Sequence, residues 1–424
     1  MSGTSLRRYP SSIGLALIVL LGLLGIPTAQ ADTDSPNTWT ATWIASPQPR
    51  WDGDFALPTG LPFHLWQQTI RQVAKVSVGG NRLRIVVSNA YGNRPLNIGA
   101  ARVAKAGDES STLGTGEPLT FSGQRQVSIP PGARMISDPA SLVVDALDEL
   151  AISLYLPDPT PPATFHWDGR QTAYIGAGDQ VDAVQMSVDD TLTTRLFLSA
   201  LLVERPDTRH TVVAFGDSIT DGNASTTDAN HRWPDYLAER FADESIAVLN
   251  AGISGARLLR SKMGENALAR FERDVLGHPG VDSVIVLMGI NDIGWPGTLA
   301  ADPALPTAER LIGAYRQLIA RARLQGVRII GATLLPFKGA LDDTPMRGYY
   351  SAEKEALRQR INTWIRDSGE FDDIVDFDAM TRDPDRPARL HPEFDSGDHL
   401  HPNDAGYEAM AEIIEPGMLL GTEN

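Results

Sequence analysis

Ser218 lies in "VVAFGDSITDG" (Val212–Gly222), where four apolar residues run into a glycine, two acids flanking the serine, and a second glycine. At such a strand-to-helix turn a serine serves as nucleophile, phosphate ligand or plain turn residue. A phosphate loop calls for GxxxxGK[ST], and no lysine is near. The G-x-S-x-G elbow is broken by Thr220 in its last position, and a Gly/Asp/Ser turn is the plain alternative. "DHLHP" shifts the balance, because Asp398 and His401 stand three residues apart. A tight turn there lets the carboxylate accept a hydrogen bond from one imidazole nitrogen and leaves the other as a base. Pro402 restrains the His401 backbone toward extended geometry. A serine hydroxyl is a poor nucleophile until a base takes its proton, so Ser218, His401 and Asp398 make a chemically complete relay. Acyl transfer also requires donors for the developing oxyanion. "NAGISGARLL" offers the Gly255 N–H, unscreened by a side chain, and "VLMGINDIGWPG" offers the Asn291 amide. With the Ser218 N–H these make three donors at three successive strand ends.

One enzymatic rival draws on the same segments. Asp217, Asp221, Asn291, Asp292, Asp398, His399 and His401 are all ligand types for a hard metal, as in a metallophosphoesterase. That reading lacks an upstream D-x-H and leaves Ser218 and Gly255 without a task. A rival of another class is a carbohydrate-binding module whose hydrolase half is inactive. For substrate contact the candidates are Trp295, directly after the Asn291 segment, and a lip made by "ALDDTPMRGYYS". His166 and Trp167 in "FHWDGRQ", and Trp39, Trp43, Trp51 and Trp66, are candidates for sugar stacking, although sandwich cores also use tryptophan.

The elements that must position these groups fall into two halves. From Trp39 to about Arg205 short strands are divided by Gly, Pro and Asp. In "KVSVGGNRLRIVVSN" the apolar residues Val76, Val78, Leu83 and Ile85 alternate, with Gly79–Gly80 expected as the turn between paired strands. Residues 151–156 form another strand candidate, and no sustained 3.6-residue period appears, so an antiparallel β-sandwich is expected over residues 32–205. From residue 206 to 424 the apolar runs "TVVAF", "IAVLN", "VIVLMG", "VRIIGATLLP" and "IVDFD" alternate with amphipathic helices, the pattern of a parallel sheet covered on both faces. Leu311, Tyr315, Leu318 and Ala322 share a helix face behind the cap candidate Thr307. Leu357, Ile361, Trp364 and Ile365 do the same behind Ser351, and Tyr407, Met410, Ala411 and Ile414 follow Pro402. In such α/β sheets ligands gather at the carboxyl ends of the strands.

The blocks "FGDSITDG", "NAGISG", "GIND" and "DHLHP" occur in that order, and the chain from His210 onward resembles the SGNH hydrolases, also called GDSL esterases and lipases. The resemblance implies a flavodoxin-like domain with a five-stranded parallel sheet. It also implies a Ser218–His401–Asp398 triad, an oxyanion hole of Ser218, Gly255 and Asn291, and carboxylic-ester hydrolysis without a cofactor. "RWPDYLAERF", "RINTWIR" and "SGDHLHPNDAGY" extend it toward a secreted branch in which a β-sandwich precedes the hydrolase domain and which is associated with polysaccharide degradation. The expected substrate is then a short acyl group, acetyl above all, on a polysaccharide, with a lipase or arylesterase acting on small or lipid esters as the alternative. On this reading the β-sandwich orients or enlarges the substrate site and supplies no catalytic group.

Arg7 and Arg8 precede "IGLALIVLLGLLGI" and "PTAQA", which reads as a signal peptide over residues 1–31 cleaved after Ala31. The run is short of the ~20 apolar residues of a membrane span. A secreted, extracellular or periplasmic, protein with no stable membrane insertion is expected. The chain of 424 residues has no cysteine, which removes thiol catalysis, disulfides and Cys-ligated metals together. A net charge of −16 with five lysines argues against nucleic acid as a partner.

Overall fold

The computed structural model describes residues 39–51, 55, 57–205, 210–298 and 304–421. The signal-peptide expectation and the junction at 206–209 lie outside the described residues. Residues 36–424 form one compact unit.

The β-rich half holds β1 (Trp39–Ile44), β2 (Gln68–Lys75), β3 (Leu83–Ser88), β4 (Ala100–Lys105), β5 (Glu149–Leu156), β6 (Ala173–Ala177) and β7 (Leu198–Glu204). One antiparallel sheet runs β1-β7-β3 and ends at the short strand Arg134–Ile136. A second runs β6-β2-β5-β4, with Asp190–Leu192 and Glu117–Leu119 at its edges. Ile70, Leu83, Ile85, Ile152, Leu154 and Leu201 are wholly buried, as two layers closing on one core require. The expected hairpin at Gly79–Gly80 does not form, because β2 and β3 belong to different sheets. Leu83 and Ile85 lie in β3, whereas Val76 and Val78 lie past the end of β2, and the glycines serve close approach. A Cβ on Gly79 would run into the Val144 carbonyl and one on Gly80 into Glu204.

The second half is built on β8 (His210–Gly216), β9 (Ile246–Gly252), β10 (Ser283–Leu287), β11 (Arg328–Ala332) and β12 (Asp373–Val375). All are parallel, in the order β9-β8-β10-β11-β12. The order reverses at β8, so right-handed crossovers send the connecting helices to opposite faces and open a crevice at the carboxyl end of β8. The helices are α1 (Ser218–Asp221), α2 (Trp233–Phe241), α3 (Ala267–Phe271), α4 (Ile290–Gly294), α5 (Ala308–Leu324), α6 (Ala352–Asp367), α7 (Phe377–Thr381), α8 (Asp404–Glu412) and α9 (Pro416–Leu420). Thr307 caps α5 by accepting from the Arg310 N–H, and Ser351 caps α6 by accepting from the Lys354 N–H. The expected faces of α5, α6 and α8 are buried, except that Trp364 is half-buried and Ile414 lies just past the end of α8.

Candidate active site

Four segments meet where β8, β9 and β10 end. Ser218 opens α1 two residues after β8, and Asp217 caps that helix by accepting from the Ile219 N–H at 3.1 Å. The first N–H groups of a helix have no partner within it, so the Ser218 N–H is offered to the crevice beside its own hydroxyl. His401 and Asp398 come from the turn before α8. His401 Nε2 stands 2.8 Å from Ser218 Oγ, and Nδ1 stands 2.6 Å from Asp398 Oδ2. The second carboxylate oxygen accepts the N–H groups of Leu400 at 2.9 Å and His401 at 2.8 Å. Burial raises the Asp398 carboxyl, but the bond and charge of His401 with these two amides outweigh it. The group is held well below the usual carboxylate range. Because Asp398 stays ionised and accepts from Nδ1–H, the lone pair of Nε2 faces the serine.

Gly255 and Asn291 were expected at the very ends of β9 and β10. They lie beyond them instead, Gly255 three residues past β9 and Asn291 inside α4. Gly255 has φ +76°, and a Cβ there would strike the Met263 sulfur and approach Trp295 at 3.1 Å. Glycine is therefore required twice, by backbone and by space. The Asn291 side-chain oxygen accepts from Trp295 Nε1 at 2.9 Å and from the Tyr349 hydroxyl at 2.8 Å. Two donors on the oxygen fix the amide, and its Nδ2 donates one hydrogen to the Ala256 carbonyl at 3.1 Å. The other hydrogen remains for a ligand.

Ser218, Gly255, Asn291, Asp398 and His401 all line one cleft of about 750 Å³, open mouth included. Its apolar walls include Met263, Trp295, Leu341 and Met346, so Trp295 and the 340–351 lip both reach it. The Trp295 ring stacks on Phe55 at 5.5 Å and lies under the Arg257 guanidinium at 4.4 Å. The lip is tied down by Lys354, whose ammonium donates to the carbonyls of Gly294, Gly348 and Tyr349 at 2.7, 2.7 and 3.2 Å. Burial pushes this lysine down to about 8.

The β-rich half also lines the cleft, through Leu57 and Trp167. Of the two sugar-contact candidates in "FHWDGRQ", Trp167 lies in the cleft wall. His166 does not, since it is buried and bonded to Asp221. Trp51 is buried against Phe165 and Trp167, Trp39 and Trp43 are half-buried under arginines, and Trp66 is exposed. The spacing of residues gave no sign of the tasks of Tyr349, Lys354 or Asp168. A second Ser–His contact, His210 Nε2 to Ser283 Oγ at 2.7 Å, sits at the opposite, amino end of β8 and β10. Ser283 is wholly buried in its strand, so no substrate reaches it there. Among the described residues no group of three or more His, Asp or Glu side chains is arranged to hold a metal ion. Asp292, one donor of the metal reading, is taken up by the Leu258 and Leu259 N–H groups at 2.7 and 3.0 Å.

The family model for the GDSL-like lipase/acylhydrolase family matches residues 214–409. No curated protein matches the chain. Among solved structures, a carbohydrate acetylesterase family member from Sinorhizobium meliloti is 18% identical with a TM-score of 0.39, over 50% of this chain and 100% of that one. A GDSL-like lipase from Bacteroides thetaiotaomicron is 19% identical with a TM-score of 0.37, over 49% and 87%. The aryl esterase of M. smegmatis is 14% identical with a TM-score of 0.38, over 48% and 95%. Likeness at this level carries no information about substrate. The matched span holds every strand of the parallel sheet from mid-β8 onward and every residue of the serine, glycine, asparagine and histidine blocks, and over it the chain belongs to the GDSL-like lipase/acylhydrolase family, the SGNH hydrolases, which cleave ester bonds.

Proposed function

We propose that the protein is a secreted serine esterase that removes short acyl groups, acetyl above all, from polysaccharides. One observation carries the reading: the unbroken sequence of contacts from Asp398 through His401 to Ser218, at 2.6 and 2.8 Å, opens into a cleft beside Gly255 and Asn291. Ser218 Oγ attacks the ester carbonyl while His401 Nε2 takes its proton. The oxyanion is received by the Ser218 N–H, the Gly255 N–H and the free hydrogen of Asn291 Nδ2. The imidazolium then protonates the departing alcohol, and water releases the acyl group by the same route. Asp398 holds the ring and stabilises its cation.

Export is supported by the leader-like residues 1–31, and a saccharide on the alcohol side by the Trp167 ring in the cleft wall. The apolar residues Met263, Trp295 and Met346 in the same cleft favour a second reading, an esterase for aryl or small lipid esters. An activity panel separates the two, comparing acetylated xylan, other acetylated glycans and 4-nitrophenyl esters of increasing chain length. Turnover of acetylated glycans with a steep fall beyond acetyl supports the first reading. Preference for longer aryl esters, with no release of acetate from glycans, replaces it with the second.

A further inference from the structure

The proposed chemistry lies wholly in the second half, yet its oxyanion loop is held from the first. His166 ends the short strand Thr164–His166 and is buried. Its Nδ1 faces the Ser46 carbonyl at 3.0 Å and its Nε2 faces Asp221 Oδ1 at 2.8 Å. A carbonyl and an ionised carboxylate only accept, so beside an ionised Asp221 both ring nitrogens donate. Burial opposes a charged ring, but Asp221 and the Ser46 carbonyl outweigh it and hold the imidazole above its ordinary range.

Asp221 is thereby fixed at one oxygen, and its other oxygen accepts the Ser254 N–H at 2.7 Å. Asp168, two residues after His166, accepts the Ser254 hydroxyl at 2.9 Å and the Asn223 amide at 2.6 Å. Ser254 is gripped by backbone and side chain alike, and the next residue is Gly255. A third tie reaches the same loop from behind. Gln48 accepts the Trp167 N–H at 2.6 Å and donates to the carbonyl of Met263, whose sulfur packs against Gly255.

We propose that His166 is a positioning residue for the Gly255 oxyanion donor, acting through Asp221 and Ser254, so that the β-rich half sets the geometry of a reaction it does not perform. The inference rests on the esterase reading. Misplacing a reacting group by about 1 Å costs up to ~10²-fold in rate, and such a loss falls on turnover more than on binding when the contact is made to the transition state.

The test uses the full chain with 4-nitrophenyl acetate and a fluorophosphonate label for Ser218, on His166→Ala, His166→Gln, Asp221→Asn and the double variants. His166→Ala should lower kcat about 10- to 100-fold, leave KM nearly unchanged and slow labelling in parallel. His166→Gln, which keeps a donor toward Asp221, should recover most of the loss. In the Asp221→Asn background His166→Ala should cost little more, because the two lie on one path. A folded His166→Ala with wild-type kcat, a change confined to KM, or losses that add in the double variant overturns the proposal. Should the alanine variant not fold, the same cycle is run with His166→Phe, which keeps a ring of similar size but no donor toward Asp221, and additive losses overturn it equally. A wild-type protein that hydrolyses no ester overturns the esterase reading and the proposal together, whereas an active wild type with an equally active His166→Ala overturns the proposal alone.

Discussion

Asp217 faces two incompatible demands. One carboxylate oxygen caps α1, while the other is buried without a hydrogen-bond partner. Burial pushes the group up to about 7, against 3.8 ordinarily. A carboxyl whose folded pKa is raised contributes stability that is fully present below about pH 4 and is lost as pH rises through about 7. Asp217→Asn keeps the cap and has no proton to lose. Its melting temperature should therefore gain on that of wild type between pH 5 and pH 8, and a difference that stays constant with pH in calorimetric scans counts against this account. Ser218→Ala makes the complementary case. Ester hydrolysis should disappear while the melt stays nearly unchanged, since the hydroxyl bonds only His401 at the cleft wall. Retention of more than a few percent of activity would rule out the acyl-serine. On the proposed mechanism Ser218, His401 and Asp398 with the three donors supply nucleophile, base and charge stabilisation, so activity should also survive exhaustive EDTA treatment. Loss of activity restored by Mn²⁺ or Zn²⁺ returns the metal reading.

At the scale of elements, the 340–351 segment and α4 form one device. Tyr349 and Trp295 hold the Asn291 oxygen, and Lys354 holds the loop that delivers Tyr349. Removing an oxyanion donor outright costs about 10²–10³ in kcat, and unpinning one of its two anchors costs less. Tyr349→Phe should lower kcat about tenfold, with KM nearly constant, by initial-rate kinetics on 4-nitrophenyl acetate. A matching rise in KM instead makes Tyr349 a substrate contact. These same elements mark what was legible in the sequence. The caps and buried faces of α5 and α6 follow from local rules of spacing, and Asp398 and His401 are separated by a single turn. That Gly255 and Asn291 gather near Ser218 was legible in their motifs, although their offset from the strand ends was not. The His166–Asp221 pair joins residues 55 apart in sequence across two halves of different architecture. No periodicity encodes such a contact, just as the alternation around Gly79–Gly80 did not reveal that its two strands part into separate sheets.

At the largest scale, the two halves of the described chain share one core. Buried residues of both halves form a single hydrophobic core cluster, and the Ser77 hydroxyl accepts the Val248 N–H of β9 across the junction at 3.2 Å. An apolar interface of this kind resists independent unfolding, so calorimetry should record one cooperative transition, and two separable transitions would contradict the shared core. The placement of Leu57 and Trp167 in the cleft wall has a further consequence for descent. Both lie outside residues 214–409, the span that carries the family's blocks. Drift in the short segments around them reshapes the cleft wall while every block motif stays untouched. Two descendants of this chain can thus share every block motif and yet present different cleft walls, the divergence lying outside the span that carries the family's blocks.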